Sequence, residues 1–159
     1  MFRAPPMTTR MTERLVLKRR QIWHVPNLVD TYRDVRTLTY LGGSCSLFVA
    51  YRRLLRGCFG ASRWTIFLAG SGEPIGSVGF WRWPDGRPEL AYWLDPDHWG
   101  AGLATEAISA ALAMNSERPV VAMSRTANLG SCLVLEKLGF VPEANLRRFG
   151  ADQQLYVLN

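Results

Sequence analysis

Apolar and polar residues alternate along the first half of the chain in runs that predict short strands and amphipathic helices. Residues 14–19, 64–68, 74–83 and 89–94 resemble strands, whereas residues 26–38 and 44–55 repeat their apolar positions at the spacing of helices. Pro84-Asp85-Gly86-Arg87 separates the last two strands and is typical of a hairpin turn. This half therefore predicts a strand, two helices and three antiparallel strands.

The second half alternates helices with strands. Residues 102–115 are rich in alanine and leucine without an interior glycine or proline, which predicts one helix. Residues 119–123 predict a buried strand, residues 129–138 a helix that ends at Gly139, and residues 140–149 and 153–158 two final strands. This order predicts an α/β fold, in which strand 89–94 pairs in parallel with strand 119–123.

Length and composition fit one folded domain. The chain has 159 residues, of which 48% are hydrophobic and 20% are charged, and this balance excludes a disordered chain or a coiled coil. We expect a flexible N-terminus over 1–11 and a single domain over 12–159. No apolar run is long enough for a membrane span, no secretory signal is evident, and the three cysteines lack metal-ligand spacing. We therefore expect a cytoplasmic protein without a metal.

The net charge of +6 favours an anionic ligand. All basic residues except Lys18 and Lys137 are arginines, whose planar guanidinium groups suit phosphate. Nucleic acid and a phosphorylated cofactor are both compatible with this charge. A genome whose base composition favours arginine codons would produce the same excess, so charge alone does not decide. The arginines at 52, 53 and 56 are interpreted as a solvated helix face, with contact to a phosphate as the alternative.

One segment has the form of a phosphate-binding turn. The strand that ends at Leu94 is followed by a loop in which Gly100 and Gly102 lead directly into a helix. Glycines let the backbone approach a ligand closely, and the first helical turn has N–H groups without partners. The segment lacks the third glycine of a Rossmann motif and the Gly-Lys of a P-loop. A plain turn with a helix cap is the alternative interpretation.

Trp99-Gly100-Ala101-Gly102-Leu103-Ala104 resembles the acyl-CoA signature of the GNAT N-acetyltransferase superfamily. Trp99 stands where glutamine or arginine is usual, as in the RimJ/RimL branch of ribosomal-protein N-terminal acetyltransferases and their relatives. Four more segments are similar to that branch, in its order and spacing: TERLVL at 12–17, PIGSVGF at 74–80, ELAYWLDP at 89–96 and NLGSCLVLEKLGF at 128–140. The resemblance covers nearly the whole chain.

This resemblance implies the GNAT fold, a mixed and mostly antiparallel central sheet of six to seven strands flanked by about four helices. It implies a bacterial acetyltransferase that transfers acetyl from acetyl-CoA directly to a primary amine within a ternary complex. The acceptor amine can be a protein N-terminus or a small molecule, and the resemblance does not decide between them. The oligomeric state is likewise open between a monomer and a homodimer. We expect no membrane and no nucleic acid among its partners.

The resemblance also assigns cofactor contacts. Backbone N–H groups from Gly100 to Thr105 would bind the pyrophosphate, the strand around Leu94 would pair with the pantetheine arm, and Asn128 would hydrogen-bond that arm. The full predicted cofactor set is Trp93, Leu94, Trp99, Gly100, Ala101, Gly102, Leu103, Ala104, Thr105 and Asn128.

Two residues are candidates for proton transfer. Glu89 would accept the proton of the amine if burial raised its pKa, and a solvated glutamate beside Arg87 is the alternative. Many GNAT enzymes protonate the departing thiolate with a tyrosine at the position of Leu135, which is absent here. Ser131 fits the serine that replaces it in RimL-like enzymes, and a helix-cap hydroxyl is the alternative.

Two other classes of protein stay open. A non-catalytic acyl-CoA-binding module would need the same glycine turn without a working pair of proton-transfer groups. A basic nucleic-acid-binding protein would fit the charge, but no interleaved aromatic and basic motif supports it.

Overall fold

A computed structural model describes residues 9–59 and 62–159. These residues form one mixed sheet of eight strands, whose order across the sheet is β1-β2-β3-β4-β5-β6-β8-β7. The strands are β1 Arg10–Met11, β2 Leu15–Arg19, β3 Ser62–Leu68, β4 Pro74–Arg82, β5 Pro88–Leu94, β6 Val120–Arg125, β7 Val141–Arg148 and β8 Ala151–Leu158.

Five α-helices connect the strands: α1 Val25–Arg33, α2 Val35–Tyr40, α3 Leu47–Arg56, α4 Leu103–Met114 and α5 Leu129–Lys137. Short 3-10 turns occupy Ile22–His24 and Pro96–His98. The hairpin between β4 and β5 lies at the predicted turn, where Gly86 has a φ of 93°. The antiparallel order of the first half is therefore confirmed.

The predicted fold class is confirmed, although the number of elements was low. The described sheet has eight strands rather than six to seven, because the two-residue β1 adds an edge strand to the seven that the sequence pattern predicted. Residues 1–8 of the N-terminus predicted to be flexible lie outside the described residues, and Arg10 and Met11 form β1.

The helix predicted over 26–38 is two helices. Asp34 interrupts it with extended backbone (ψ 131°), and its side chain accepts a hydrogen bond from the Arg36 backbone N–H to begin α2. Aspartate favours this N-cap position over a helix interior, so one residue ends α1 and starts α2.

Alternate residues of β5 pack against different helices. Leu90 and Leu94 belong to the larger core under α4 and α5, whereas Trp93 packs against the second core between α1, α2 and α3. Because successive side chains of a strand point to opposite faces, helices cover the sheet on both sides.

The β5–β6 pair is parallel, as predicted, but it is short. The register contains only Glu89 opposite Val121 and Leu90 opposite Ala122. β5 continues to Leu94, and β4 pairs with it along that whole length. The strands β5 and β6 therefore separate after Leu90, and the second half of β5 has one open edge inside the sheet.

Candidate active site

A cavity of about 330 Å³ lies along the open half of β5, between the start of α4 and the start of α5. Every residue of the predicted cofactor set lines it except Ala101. Segments separated by about 30 residues in the sequence therefore meet at one cavity, which we call the α4 cavity.

The glycine turn gives the α4 cavity a backbone wall. Gly100 and Gly102 have φ values of 75° and 78°, a left-handed conformation that glycine adopts without strain. Gly102 is the N-cap of α4, and its carbonyl accepts the first helical hydrogen bond, from the Glu106 N–H (3.1 Å). The N–H groups of residues 103–105 precede that bond and remain for an anionic ligand.

Glu106 holds this turn against the start of β2. Its carboxylate accepts hydrogen bonds from the Thr12 hydroxyl (2.5 Å), the Arg14 backbone N–H (2.9 Å) and the Arg14 side chain (2.7 Å). The Arg14 guanidinium also donates to the Ala101 carbonyl (2.8 Å). Ala101 thus points its carbonyl away from the α4 cavity and toward Arg14. Sequence analysis did not identify Arg14, which lies far from the turn along the chain.

Trp99 and Asn128 shape the ends of the α4 cavity. The Trp99 indole donates a hydrogen bond to the Leu94 carbonyl (3.0 Å), which closes the end of β5. The Asn128 side chain accepts from the Ser131 backbone N–H (3.1 Å) and caps α5. This bond fixes the orientation of the first turn of α5, where Ser131 lies.

A second cavity, of about 740 Å³, lies on the other side of β5 and contains Glu89 in its wall. We call it the Glu89 cavity. The α4 cavity and the Glu89 cavity share six lining residues, and these form the junction between them: Tyr40, Leu41, Tyr92, Trp93, Asn128 and Ser131.

The Glu89 carboxylate is half-buried and accepts no hydrogen bond within the described ranges 9–59 and 62–159. Burial raises the pKa of Glu89 above its ordinary value, although the positive charges of Arg148 and Arg63 oppose the shift. A carboxylate in these surroundings is a better proton acceptor than one in water.

Ser131 is paired with a residue that sequence analysis missed. Its hydroxyl lies 2.7 Å from the Tyr92 hydroxyl, and either oxygen can be the donor. Burial raises the pKa of Tyr92 to about 12, so the phenol keeps its proton near neutral pH. The expected tyrosine position in α5 is occupied by Leu135, and the phenol comes instead from β5. Tyr92 lies within a recognised segment, but only the fold shows that it meets Ser131.

The model of a protein family described as "Acetyltransferase (GNAT) domain" matches residues 14–141, which is more than half of the chain. The chain belongs to the GNAT acetyltransferase family. It is also 27% identical over 157 residues to an uncharacterized N-acetyltransferase, p20, of Bacillus licheniformis, covering 90% of this chain and 88% of that protein. The chain is therefore a GNAT-family N-acetyltransferase.

Solved GNAT structures share this fold. A GNAT-family acetyltransferase from Bordetella pertussis superposes with a TM-score of 0.80 at 26% identity, over 94% of this chain and 98% of that one. RimL, a ribosomal alpha-N-protein acetyltransferase solved in complex with coenzyme A, superposes with a TM-score of 0.78 at 21% identity, over 95% of this chain and 97% of that one. At that identity, the RimL likeness supports the fold alone.

The two histidines of the sequence are not among the residues that form the junction. His98 lines the α4 cavity. His24 lines neither cavity, and its Nδ1 atom is hydrogen-bonded to the Thr65 hydroxyl at 3.1 Å. Burial and the neighbouring Arg20 lower the pKa of His24. Within the described part of the chain, no cluster of residues could hold a metal ion, and no helix is long and apolar enough to cross a membrane.

The Glu106 network predicts a pH-dependent loss of stability. Burial raises the pKa of Glu106, but its bonds to Thr12 and Arg14 lower it more, so the folded pKa lies below the ordinary value. The stabilisation is present above the unfolded pKa and is lost as pH falls through the folded one. We expect Glu106→Gln to lower the free energy of unfolding at pH 7 by about 2 kcal/mol.

Urea denaturation between pH 7 and pH 3 measures this effect. The deficit of the variant should shrink in the acid range, while Glu13→Gln, which removes an exposed carboxylate near the same turn, should behave as the wild type. An equal deficit at every pH would contradict the role of the Glu106 charge.

Proposed function

We propose that this GNAT protein transfers acetyl from acetyl-CoA directly to a primary amine, and that the transfer occurs at the junction of the α4 and Glu89 cavities. The observation that carries the proposal is this junction, where a helix N-terminus suited to phosphate leads to a half-buried carboxylate and a pair of hydroxyl groups.

The α4 cavity suits the donor. Its glycine turn leaves the N–H groups of residues 103–105 without helical partners, and the partial positive charge of the α4 N-terminus favours a pyrophosphate. Lys137 lines the same cavity and adds a positive charge. The open edge of β5 between Ala91 and Leu94 offers backbone groups to the pantetheine arm. The bound thioester would supply an activated acetyl group, which the amine attacks.

The Glu89 cavity suits the amine. A free amine is protonated near neutral pH and must lose that proton before it can attack a thioester. Glu89 would accept the proton, directly or through water, because burial raises the pKa of its carboxyl group. The alternative of a fully solvated glutamate is disfavoured by the half-buried position of Glu89.

The Tyr92 and Ser131 hydroxyls would serve the leaving sulfur. They lie at the junction, hydrogen-bonded to each other, and together they hold a proton that can be donated toward a thiolate. Ser131 also follows the Asn128 cap, so its alternative role as a first-turn residue and its chemical role are compatible.

Donor binding is tested by placing a negative charge at the start of α4. Ala104 lines the α4 cavity in the first turn of the helix, so Ala104→Glu should repel the pyrophosphate without altering the glycine turn. We expect the Kd for acetyl-CoA, measured by isothermal titration, to rise at least about thirtyfold.

Ser109→Glu is the matched control, because Ser109 is exposed on the same helix and does not line the cavity. Its Kd should stay within about twofold of the wild-type value. Random RNA, titrated in parallel, should not bind in a saturable way. A folded wild type that binds no acetyl-CoA would overturn the proposed function.

Base catalysis is tested at Glu89. We expect Glu89→Gln to lower kcat at least about a hundredfold with little change in acetyl-CoA affinity. In the wild type, activity should fall as pH decreases through the raised pKa of Glu89, and the variant should lose this acid limb while its deficit eases at high pH. Thiol release under saturating donor and amine measures both.

Glu73→Gln, which changes an exposed turn carboxylate, is the control and should keep the wild-type profile. Full activity of Glu89→Gln at pH 7 would show that Glu89 is not the base. This result would not affect the proposal for donor binding.

Cooperation between the two hydroxyls is tested with a double-mutant cycle. If Tyr92 and Ser131 act as one unit, Tyr92→Phe, Ser131→Ala and the double variant should lose similar amounts of kcat, about tenfold or more. Melting temperatures of the three variants separate this result from simple destabilisation. Additive losses, or an unchanged kcat in both single variants, would contradict the pairing.

A further inference from the structure

Two buried arginines line the Glu89 cavity without a salt-bridge partner among the described residues. Arg20 and Arg63 are only 3% and 7% exposed, yet the Nε and Nη2 atoms of both side chains have no hydrogen-bond partner within the described residues. Neither guanidinium forms a salt bridge within those residues. A buried charge without a partner is costly, so such groups usually meet a ligand or an ion pair.

The register of the sheet places these arginines on the same face as Glu89. The Arg20 N–H donates to the Arg63 carbonyl (2.9 Å), which continues the β2–β3 register by one residue. Arg63 is opposite Gly79 on β4, and Gly79 is opposite Ala91 on β5, two residues from Glu89. Residues opposite each other in a sheet share a face, as do residues two apart along a strand.

Gly79 makes room for the Arg63 side chain to approach Glu89. A Cβ at Gly79 would lie 2.9 Å from Arg63 Cγ and would also collide with the Ser62 carbonyl oxygen. The Arg63 guanidinium passes over this glycine and stacks on Trp81, with Cζ 3.8 Å from the ring centroid. Trp81 is the register partner of Glu89, so the cation lies beside the proposed base.

The lining of the Glu89 cavity as a whole is strongly positive. Glu89 is the only acidic residue in the described lining, which contains five arginines: Arg20, Arg53, Arg56, Arg63 and Arg125. A cavity with this charge repels a polyamine or a basic peptide and attracts an anion.

We propose that the acceptor is a small primary amine that also carries a carboxylate or a comparable anionic group, which Arg63 and Arg20 bind while the amine faces Glu89. This inference rests on the proposed function and names the substrate class of the same site. Because the Arg63 guanidinium stacks on Trp81, the register partner of Glu89, the anionic group and the amine of the acceptor would lie close together, which favours an amino acid or a short ω-amino acid over a polypeptide.

Both arginines keep their charge for this role. Burial lowers the pKa of Arg20 to about 10 and that of Arg63 to about 9, and both values still leave the groups protonated near neutral pH. A bound carboxylate would supply the missing hydrogen-bond acceptors and counter-charge, and a planar guanidinium can hold it through two bonds.

The test compares amines that differ only in the anionic group. The proteinogenic amino acids, β-alanine and γ-aminobutyrate are offered with acetyl-CoA, each beside its carboxamide, and thiol release is followed. We expect the best carboxylate to exceed its own amide at least about tenfold in kcat/KM. Two further substrates are offered in parallel. An aminoalkylphosphonate tests which anionic group is preferred, and an acidic peptide tests how large the acceptor can be.

Arg63→Gln and Arg20→Gln then assign that preference to the buried pair. Each should raise the KM for the carboxylate about tenfold or more and should largely abolish the preference for the carboxylate over its amide in kcat/KM. Arg52→Gln is the matched control, because Arg52 is an exposed arginine of α3 that does not line the cavity. The wild-type ratio of carboxylate to amide tests the inference even if a variant fails to fold.

Equal kcat/KM for carboxylates and amides would overturn the inference and leave the proposed function standing. Acetylation of peptide N-termini without acetylation of any small carboxylate would also overturn it. If the protein binds acetyl-CoA but none of the tested amines leads to release of thiol, the proposed transfer itself would be contradicted.

Discussion

The separation of β5 from β6 is the constraint on which both cavities depend. Two residue pairs hold the strands together at Glu89 and Leu90, and beyond them β5 runs to Leu94 with β4 as its only partner strand among the described residues. An open strand edge in the middle of a sheet leaves backbone groups that need partners. A ligand that supplies them would act as an additional strand, and the same opening lets a second molecule reach the junction from the opposite face.

Local chemistry explains which parts of this arrangement the sequence predicted. The glycine turn and the start of α4 depend on neighbouring residues, and with the resemblance to the GNAT family they gave a cofactor set of which every member except Ala101 lines the α4 cavity. Lining residues from other segments, such as Tyr40 and Lys137, were not predicted. The order of most strands along the chain followed from apolar spacing and a Pro-Asp-Gly turn, whereas the position of β8 between β6 and β7 in the sheet was not predicted. The split of the first helix was missed because Asp34 is compatible with a helix surface until its side chain is seen to cap α2.

Contacts between distant segments were beyond the sequence. The pairing of Tyr92 with Ser131 spans 39 residues, and that of Arg14 with Glu106 spans 92. Each depends on the register of strands or on the angle at which a helix leaves the sheet. No periodicity or local motif contains this information, so a search for a tyrosine in α5 could not find the phenol that β5 supplies.

The meaning of the positive net charge also depends on position. Exposed arginines such as Arg36 and Arg82 are paired with carboxylates, and these pairs add little to stability in water. Arg20 and Arg63 are buried and form no salt bridge with any described residue, and a buried charge of this kind is costly to the folded state. The donor would be held by backbone N–H groups at a helix end, and the acceptor by side chains. Because side chains can change without altering the backbone turn, this division would let one donor site serve different amines, and it would make the buried arginines the place where the acceptor is selected.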